Sequence, residues 1–471
     1  MKLRIEKSIY GGAGLARIAA ADTAPADTAT QDPSAQAGKT VFVPMTLPGE
    51  LVEACITEDH KTFADAEIKA ILEAATTRTQ PPCPYYGQCG GCHYQHATYP
   101  QQLEMKTAIL RETLERAGVF HKSTAPGIGI LSAAHPNQSW NYRNRIRLHV
   151  RPASPTSPPT LCYRERASHA LLPVNDCPIA APILIRALQC IQQLAASHHL
   201  DQLCNEVELF TNPQQDSVLI SLTTSNLSPL SAVALSKQLN QLCAALQPHL
   251  PELKGAAIFT TTDTPAPNRS NKSRTRNITA TWGEQHLTYP AATFNYKVSL
   301  SSFFQTNRHL VDPLVNLITA GRSGEIVWDL YAGVGLFSRA LTRTFRQVRA
   351  VESAPTACAD LRHNLHGTTH KIVESTTLDF LRLQTQSLIK KSLIPDLVVV
   401  DPPRAGLGPE VTCLLARIAP REIVYVSCDP TTVARDLRAL LQSGYRLQSI
   451  TLVDLFPQTF HIESVSRLSL R

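Results

Sequence analysis

The chain has 471 residues, 43% hydrophobic and 18% charged, an ordinary globular composition with room for about two to four domains. Its net charge of +7 admits a polyanionic partner without requiring one. There is no apolar run of roughly eighteen residues and no signal-peptide core in MKLRIEKSIYGG, which excludes a spanning helix or membrane partner and leads us to expect a cytoplasmic protein.

Residues 1–75 carry strand-like segments separated by glycine: Leu3 to Ile9, Gly11 to Arg17, Lys39 to Pro44 and Leu51 to Thr57. Short strands with tight turns in so small a unit predict an OB-like β-barrel. Residues 19–37, AAADTAPADTATQDPSAQA, are low in complexity and predict a disordered surface insertion.

Pro81-Pro82 marks a boundary, beyond which residues 76–300 are expected to form an α+β central domain. Twelve cysteines in a reducing compartment are not a disulfide scaffold. Cys83, Cys89 and Cys92 are clustered in a C-x5-C-x2-C spacing, with glycines that let the backbone wrap closely, which predicts a metal or cluster loop. A fourth ligand is expected at Cys177, which precedes Pro178, with Cys162 as the alternative. Four thiolates suit iron–sulfur or zinc, and spacing does not separate them.

A helix is predicted over 101–117. From Tyr142 to Arg151, every second residue is cationic (Arg143, Arg145, Arg147, His149, Arg151), with Ile146, Leu148 and Val150 between them. As a strand this stretch presents one cationic face, a surface for the phosphate backbone of RNA or DNA. Alternating helices and strands follow to residue 300, and 268–277 (NRSNKSRTRN) is expected to be a polar loop.

Residues 301–471 carry the chemistry. Glu325 to Leu330 is an apolar strand running into Tyr331-Ala332-Gly333-Val334-Gly335, then a helix, the first βα unit of a Rossmann-like α/β domain. Asp329, Glu352 at the end of the next strand, and Asp379 suit S-adenosylmethionine, whose sulfonium is cationic, better than a pyrophosphate cofactor. Two strands end in reactive groups: Leu397 to Val400 before Asp401-Pro402-Pro403-Arg404, and Ile423 to Val426 before Ser427-Cys428-Asp429-Pro430. At such carboxyl edges ligands collect. Taken alone, Cys428 reads as a small buried hydrophobe and Glu463 as a surface carboxylate near a strand start.

DLYAGVGLF, DPPRAGL, VSCDP and the closing HIES, in this order, resemble the RumA-type RNA uracil-5-methyltransferases, which act on 23S ribosomal RNA and have relatives acting on tRNA. The resemblance implies a C-terminal class I methyltransferase domain, an N-terminal TRAM barrel and a [4Fe-4S] cluster on Cys83, Cys89, Cys92 and Cys177. It implies that Gln305, Tyr331, Glu352 and Asp401 line the S-adenosylmethionine and uracil pocket, with Asp379 beside the adenine. Ala332 and Leu336 depart from family residues at those positions. Cys428 is implied as the nucleophile that adds to uracil carbon 6, and Glu463 as the base that removes the carbon-5 proton. The target base must be flipped out of its stack, and a monomer acting on 23S rRNA is expected. The alternatives are a tRNA uracil-5-methyltransferase, an amino-group methyltransferase that needs no thiol, and an RNA-binding iron–sulfur protein with an inactive methyltransferase domain.

Overall fold

The computed structural model describes residues 1–18, 38–120, 127–225, 231–264, 273–386 and 394–470. The insertion expected over 19–37 and residues 268–272 of the expected polar loop lie outside them.

The amino-terminal unit is a closed barrel of β1 (Lys2–Ser8), β2 (Ala13–Arg17), β3 (Thr40–Pro44), β4 (Leu51–Asp59) and β5 (Phe63–Glu73), in the order β1-β2-β3-β5-β4. Leu3, Ile5, Val41, Val43, Val52 and Ala54 alternate inward and fill it. Strand β5 has no counterpart in the sequence reading. Its Ala, Glu and Lys residues carry little β propensity, and pairing with both β3 and β4 overrides it.

Next come α1 (Tyr99–Arg116) and β6 (Ile128–Leu131). Both fall within the 76–300 span, yet they belong structurally to the carboxyl-terminal sheet. Strand β6 pairs in parallel with a strand near the chain's end, and Ile109, Leu110 and Leu114 of α1 join that sheet's core.

The central sheet has seven strands, β7 (Arg145–Arg151), β8 (Thr160–Arg164), β9 (Leu171–Pro173), β10 (Glu206–Thr211), β11 (Val218–Ser225), β12 (Leu253–Thr264) and β13 (Ser273–Gly283), in the order β13-β12-β11-β10-β7-β8-β9. Helices α2 (Pro182–Leu194), α3 (Leu200–Leu203) and α4 (Ala232–Leu246) close one apolar core against it. Residues 273–277 are therefore the start of β13 and not a loop. In β7, Ile146, Leu148 and Val150 point to the core as the alternation requires. The cationic face is not left bare, because antiparallel β10 sets Glu208 opposite Arg147 and Glu206 opposite His149. Glu208 takes Arg147 at 2.7 Å and lies 3.5 Å from Arg145, whose guanidinium also stacks 4.0 Å over Phe210. The repulsion that called for an external anion is thus largely cancelled within the sheet.

The hairpin of β14 (His286–Ala291) and β15 (Phe294–Ser299) leads to α5 (Val311–Thr319). The last region alternates β16 (Gly324–Leu330), α6 (Leu336–Leu341), β17 (Phe345–Glu352), α7 (Pro355–Asn364), β18 (His370–Glu374), α8 (Thr377–Gln386), β19 (Leu397–Val400), α9 (Gly408–Ile418), β20 (Glu422–Ser427), α10 (Pro430–Gln442), β21 (Tyr445–Val453) and β22 (Glu463–Leu470). The sheet order is β18-β17-β16-β19-β20-β22-β21-β6. The unbroken runs Leu397-Val398-Val399-Val400 and Ile423 to Val426 are buried because helices cover both faces.

Helix α1 is fastened to the end of this sheet by a fully buried ion pair, Lys106 to Asp454 at 2.6 Å. Lys106→Ala would leave Asp454 an uncompensated buried charge, so it should cost about 3–5 kcal/mol, read as a lower midpoint in urea denaturation. Arg4→Ala, whose pair with Glu73 is more than half exposed, should change stability by less than about 1 kcal/mol.

Candidate active site

Strand register assembles the site. Parallel β16, β19 and β20 end side by side, so Tyr331, Asp401 and Cys428 follow at one sheet edge. Strand β22 runs the other way next to β20, with Ser464 opposite Ser427. Its first residue, Glu463, therefore starts where Cys428 begins its turn.

Each group is conditioned by its neighbours. Burial, then the carboxylates of Glu463 and Asp401, push the Cys428 thiol up to about 12, and Arg404 opposes them. Glu463, 9% exposed, is held well above the usual carboxylate range by burial and then Asp401, with Arg404 and Lys106 acting the other way. Asp401 is raised to about 7 by burial and by Asp329. Asp329 is likewise raised to about 7, chiefly by burial, although Ser338 Oγ donates to its Oδ2 at 2.5 Å. Its other oxygen is buried without a partner among the described residues. Several acids crowded into one dry edge cannot all ionise together, and a cationic ligand suits such a place. Immediately after Cys428, Asp429 caps α10, accepting from Thr431 N at 2.9 Å and Thr432 N at 3.0 Å.

The loops are shaped by two glycines. Gly335 (φ +89°) begins α6, and a Cβ there would lie 2.6 Å from Leu361. Gly406 (φ +72°) lets the loop after Arg404 close on Asp436, which accepts from Leu407 N and Tyr425 Oη, each at 2.8 Å.

The remaining expected cofactor residues differ in placement. Glu352 ends β17 and accepts from Gly333 N at 2.9 Å and from Ser353 N and Ala354 N at 2.7 Å. Tyr331 has a left-handed φ of 64° and lies beside Thr377. Gln305 is buried before α5, its carbonyl accepting from Asn144 at 2.8 Å. Asp379 lies in the first turn of α8, which begins where β18 ends alongside Glu352. It is exposed on α8, its carboxylate taken by Thr376 Oγ1 at 2.7 Å and facing Arg382. Thr377, two residues earlier and buried, is the side chain that meets Tyr331.

Several site residues carried no sequence signal. Tyr10, on the barrel turn after β1, faces Asp429 and is raised by burial and by that carboxylate. Its ring meets Phe460 edge-on at 5.4 Å. His93 and His461 also pack on Phe460, and Arg404 Nη2 lies 3.2 Å from His461 Nδ1. Burial first, aided by nearby cations, lowers His93 to about 4 and His461 to about 3, so both imidazoles are neutral near pH 7.

A second cavity, of about 600 Å³, is lined by Cys83, Cys89, Cys92 and Cys177 together. Cys162 is buried elsewhere, its thiol directed at Thr160 O. Burial raises Cys89 to about 11 and Cys92 to about 12, and the sulfurs reinforce one another. Arg143, with no carboxylate partner among the described residues, lines the same space. Among the described residues, no three of these sulfurs lie within 4.8 Å of one another.

This strand order, an otherwise parallel sheet with antiparallel β22 inserted and acids at the tips of β16 and β17, is that of a class I methyltransferase. Residues 268–470 match the tRNA (Uracil-5-)-methyltransferase family, and residues 3–69 match the TRAM domain. Similar proteins include an uncharacterized RNA methyltransferase of Aquifex aeolicus, 30% identical over 100% of this chain and 99% of that one. Another, from Halalkalibacterium halodurans, is 27% identical over 100% and 97%. The fold is shared with the Pyrococcus abyssi tRNA (uracil-54, C5)-methyltransferase solved with S-adenosyl-L-homocysteine (TM-score 0.68, 21% identity, 99% of this chain and 100% of that one). The chain belongs to the RNA (uracil-5-)-methyltransferase family, enzymes that transfer methyl from S-adenosylmethionine.

Arg404 is the nearby cation that favours the Cys428 thiolate. Arg404→Gln should therefore slow iodoacetamide alkylation of Cys428 at pH 8 by up to about tenfold, followed on the Cys428 peptide by mass spectrometry.

Proposed function

We propose that this protein methylates carbon 5 of one uridine in 23S rRNA through a covalent bond between Cys428 and uracil carbon 6. The observation that carries this reading is the β20–β22 register, which brings a thiol and a buried carboxyl to one edge beside Asp401. Carbon 5 of uracil is too weak a nucleophile to take a methyl group unaided. Cys428 Sγ adds to carbon 6 and carries electron density to carbon 5 and the carbon-4 oxygen. S-adenosylmethionine supplies the methyl group. Glu463 then removes the carbon-5 proton, and the carbon–sulfur bond breaks to release 5-methyluridine and the free thiol. Burial raises the proton affinity of the Glu463 carboxylate, which strengthens it as a proton acceptor. Burial and the neighbouring carboxylates hold the Cys428 proton tightly, so that proton passes to a neighbouring carboxylate or to water as the sulfur attacks.

Asp329, Tyr331, Glu352 and Asp401 are the residues we assign to the methyl donor and uracil, with Gln305 and Thr377 beside them and Asp379 toward the adenine. The barrel's Tyr10 and the central domain grip the RNA around a flipped base. For Cys83, Cys89, Cys92 and Cys177 we propose a [4Fe-4S] cluster. A single zinc, with bonds of about 2.3 Å, would draw its sulfurs closer together than they stand here. The cluster would supply a rigid anchor for the loop, and methyl transfer needs no electron from it. Cys177→Ser should lose the visible charge-transfer absorbance of the anaerobically purified protein, and Cys162→Ser should keep it.

The tRNA reading is the second one, favoured by the fold shared with an enzyme whose name specifies tRNA uracil-54. Nucleoside mass spectrometry of both RNAs, from cells lacking the protein and complemented with wild type or Cys428→Ala, tests the assignment. We expect one 5-methyluridine to vanish from 23S rRNA and to return only with wild type. Loss from tRNA alone would move the substrate, and restoration by Cys428→Ala would remove the covalent step.

A further inference from the structure

Residues 454–461 join β21 to Glu463, and almost every one is tied to a different part of the molecule. Asp454 pairs with Lys106 and accepts from Tyr99 Oη at 2.9 Å. Leu455 O accepts from Asn307 at 3.1 Å, Phe456 O from Lys106 at 2.9 Å, and Pro457 O from Tyr142 Oη at 3.1 Å.

The tightest point is Gln458, 2% exposed and held at a left-handed φ of 69°. That conformation is uncommon for a side chain of this size and persists only where its surroundings fix it. The fixing partner is Gln102 on α1, 1% exposed. Gln458 N donates to Gln102 Oε1 at 2.9 Å, and Gln102 Nε2 donates to Gln458 Oε1 at 2.8 Å. Gln458 O in turn accepts from His93 N at 2.8 Å and Tyr94 N at 2.9 Å, the two residues after Cys92. The chain then carries Phe460 into the cluster of Tyr10, His93 and His461 before reaching Glu463.

We propose that Gln102 is a positioning residue for the proton-removal step: by closing a two-bond latch on Gln458, it fixes the path of the chain into Glu463. The inference rests on the assignment of Cys428 and Glu463 above. Its consequence is selective. Addition of the thiol and transfer of the methyl group depend on groups at the ends of β16, β19 and β20, none of which hydrogen-bonds Gln102 or Gln458. Proton removal depends on where Glu463 stands. A loosened latch therefore stalls the reaction after methylation, with RNA still bonded to Cys428.

The test uses the full-length protein, S-adenosylmethionine and total RNA from cells lacking the protein. It compares wild type, Glu463→Gln, Gln102→Met (similar volume, neither bond) and Tyr142→Phe (one hydroxyl removed from the neighbouring Pro457). Denaturing gels measure the protein–RNA adduct, and methyl incorporation measures turnover. Gln102→Met should lower turnover on the order of 10- to 100-fold while adduct accumulates as in Glu463→Gln. Tyr142→Phe should show a smaller accumulation, about threefold or more, with an unchanged melting temperature. Equal loss of adduct formation and turnover in Gln102→Met, or wild-type behaviour of both variants, overturns the proposal. Should Gln102→Met fail to fold, an adduct level in Tyr142→Phe no higher than wild type overturns it. If Glu463→Gln itself yields no adduct, the Cys428–Glu463 assignment fails and this inference with it.

Discussion

The structure depends on one strand that runs against its neighbours. A wholly parallel sheet brings only strand ends to its carboxyl edge, each followed by a loop. Antiparallel β22, inserted between β20 and β21, brings a strand beginning there instead. That reversal sets Glu463 beside Cys428 although 34 positions separate Glu463 from Asp429 in the chain's own numbering. Burial does the rest: it raises the proton affinity of Cys428, Glu463, Asp401 and Asp329, the carboxylates add to the effect on their neighbours, and Arg404 is the counterweight at Cys428 and Glu463.

A carboxyl delivered by the first residue of a strand is only as well placed as the segment that precedes it. Here that segment is a junction of the whole chain. Helix α1 supplies Tyr99, Gln102 and Lys106, the cysteine loop supplies two N–H groups, the central region supplies Tyr142, and the barrel closes on Phe460 through Tyr10. The amino-terminal units thus brace the edge that carries Cys428 and Glu463, and are candidates for holding RNA. This also explains why α1 and β6, though distant in sequence, are built into the carboxyl-terminal sheet.

Much of the sheet was legible because its signal is local. The runs Leu397 to Val400 and Ile423 to Val426 are apolar on both faces and stop at Asp-Pro steps, so both the strands and their reactive ends can be read directly. The three clustered cysteines are legible for the same reason, and Cys177 lines one cavity with them. What failed depends on long-range pairing. Arg145, Arg147 and His149 read as an open cationic face until β10 supplies Glu208 and Glu206. Strand β5 is made by its neighbours and not by its Ala and Glu residues. Asp379 and Thr377 share one turn of α8, and spacing cannot say that the threonine faces inward while the aspartate meets solvent. Tyr10 and Gln102 have no signal in the sequence, because their roles exist only once three units close on residues 454–461.

The central claim is that a sulfur of this chain becomes bonded to a pyrimidine ring. RNA in which uridine is replaced by 5-fluorouridine tests it most directly, because fluorine at carbon 5 cannot leave as a proton does. Incubated with S-adenosylmethionine, the protein should form a denaturation-resistant complex, and mass spectrometry should find the methylated fluorouridine on the Cys428 peptide. Methylation of ordinary RNA by the same preparation, with no such adduct on Cys428, would contradict the account.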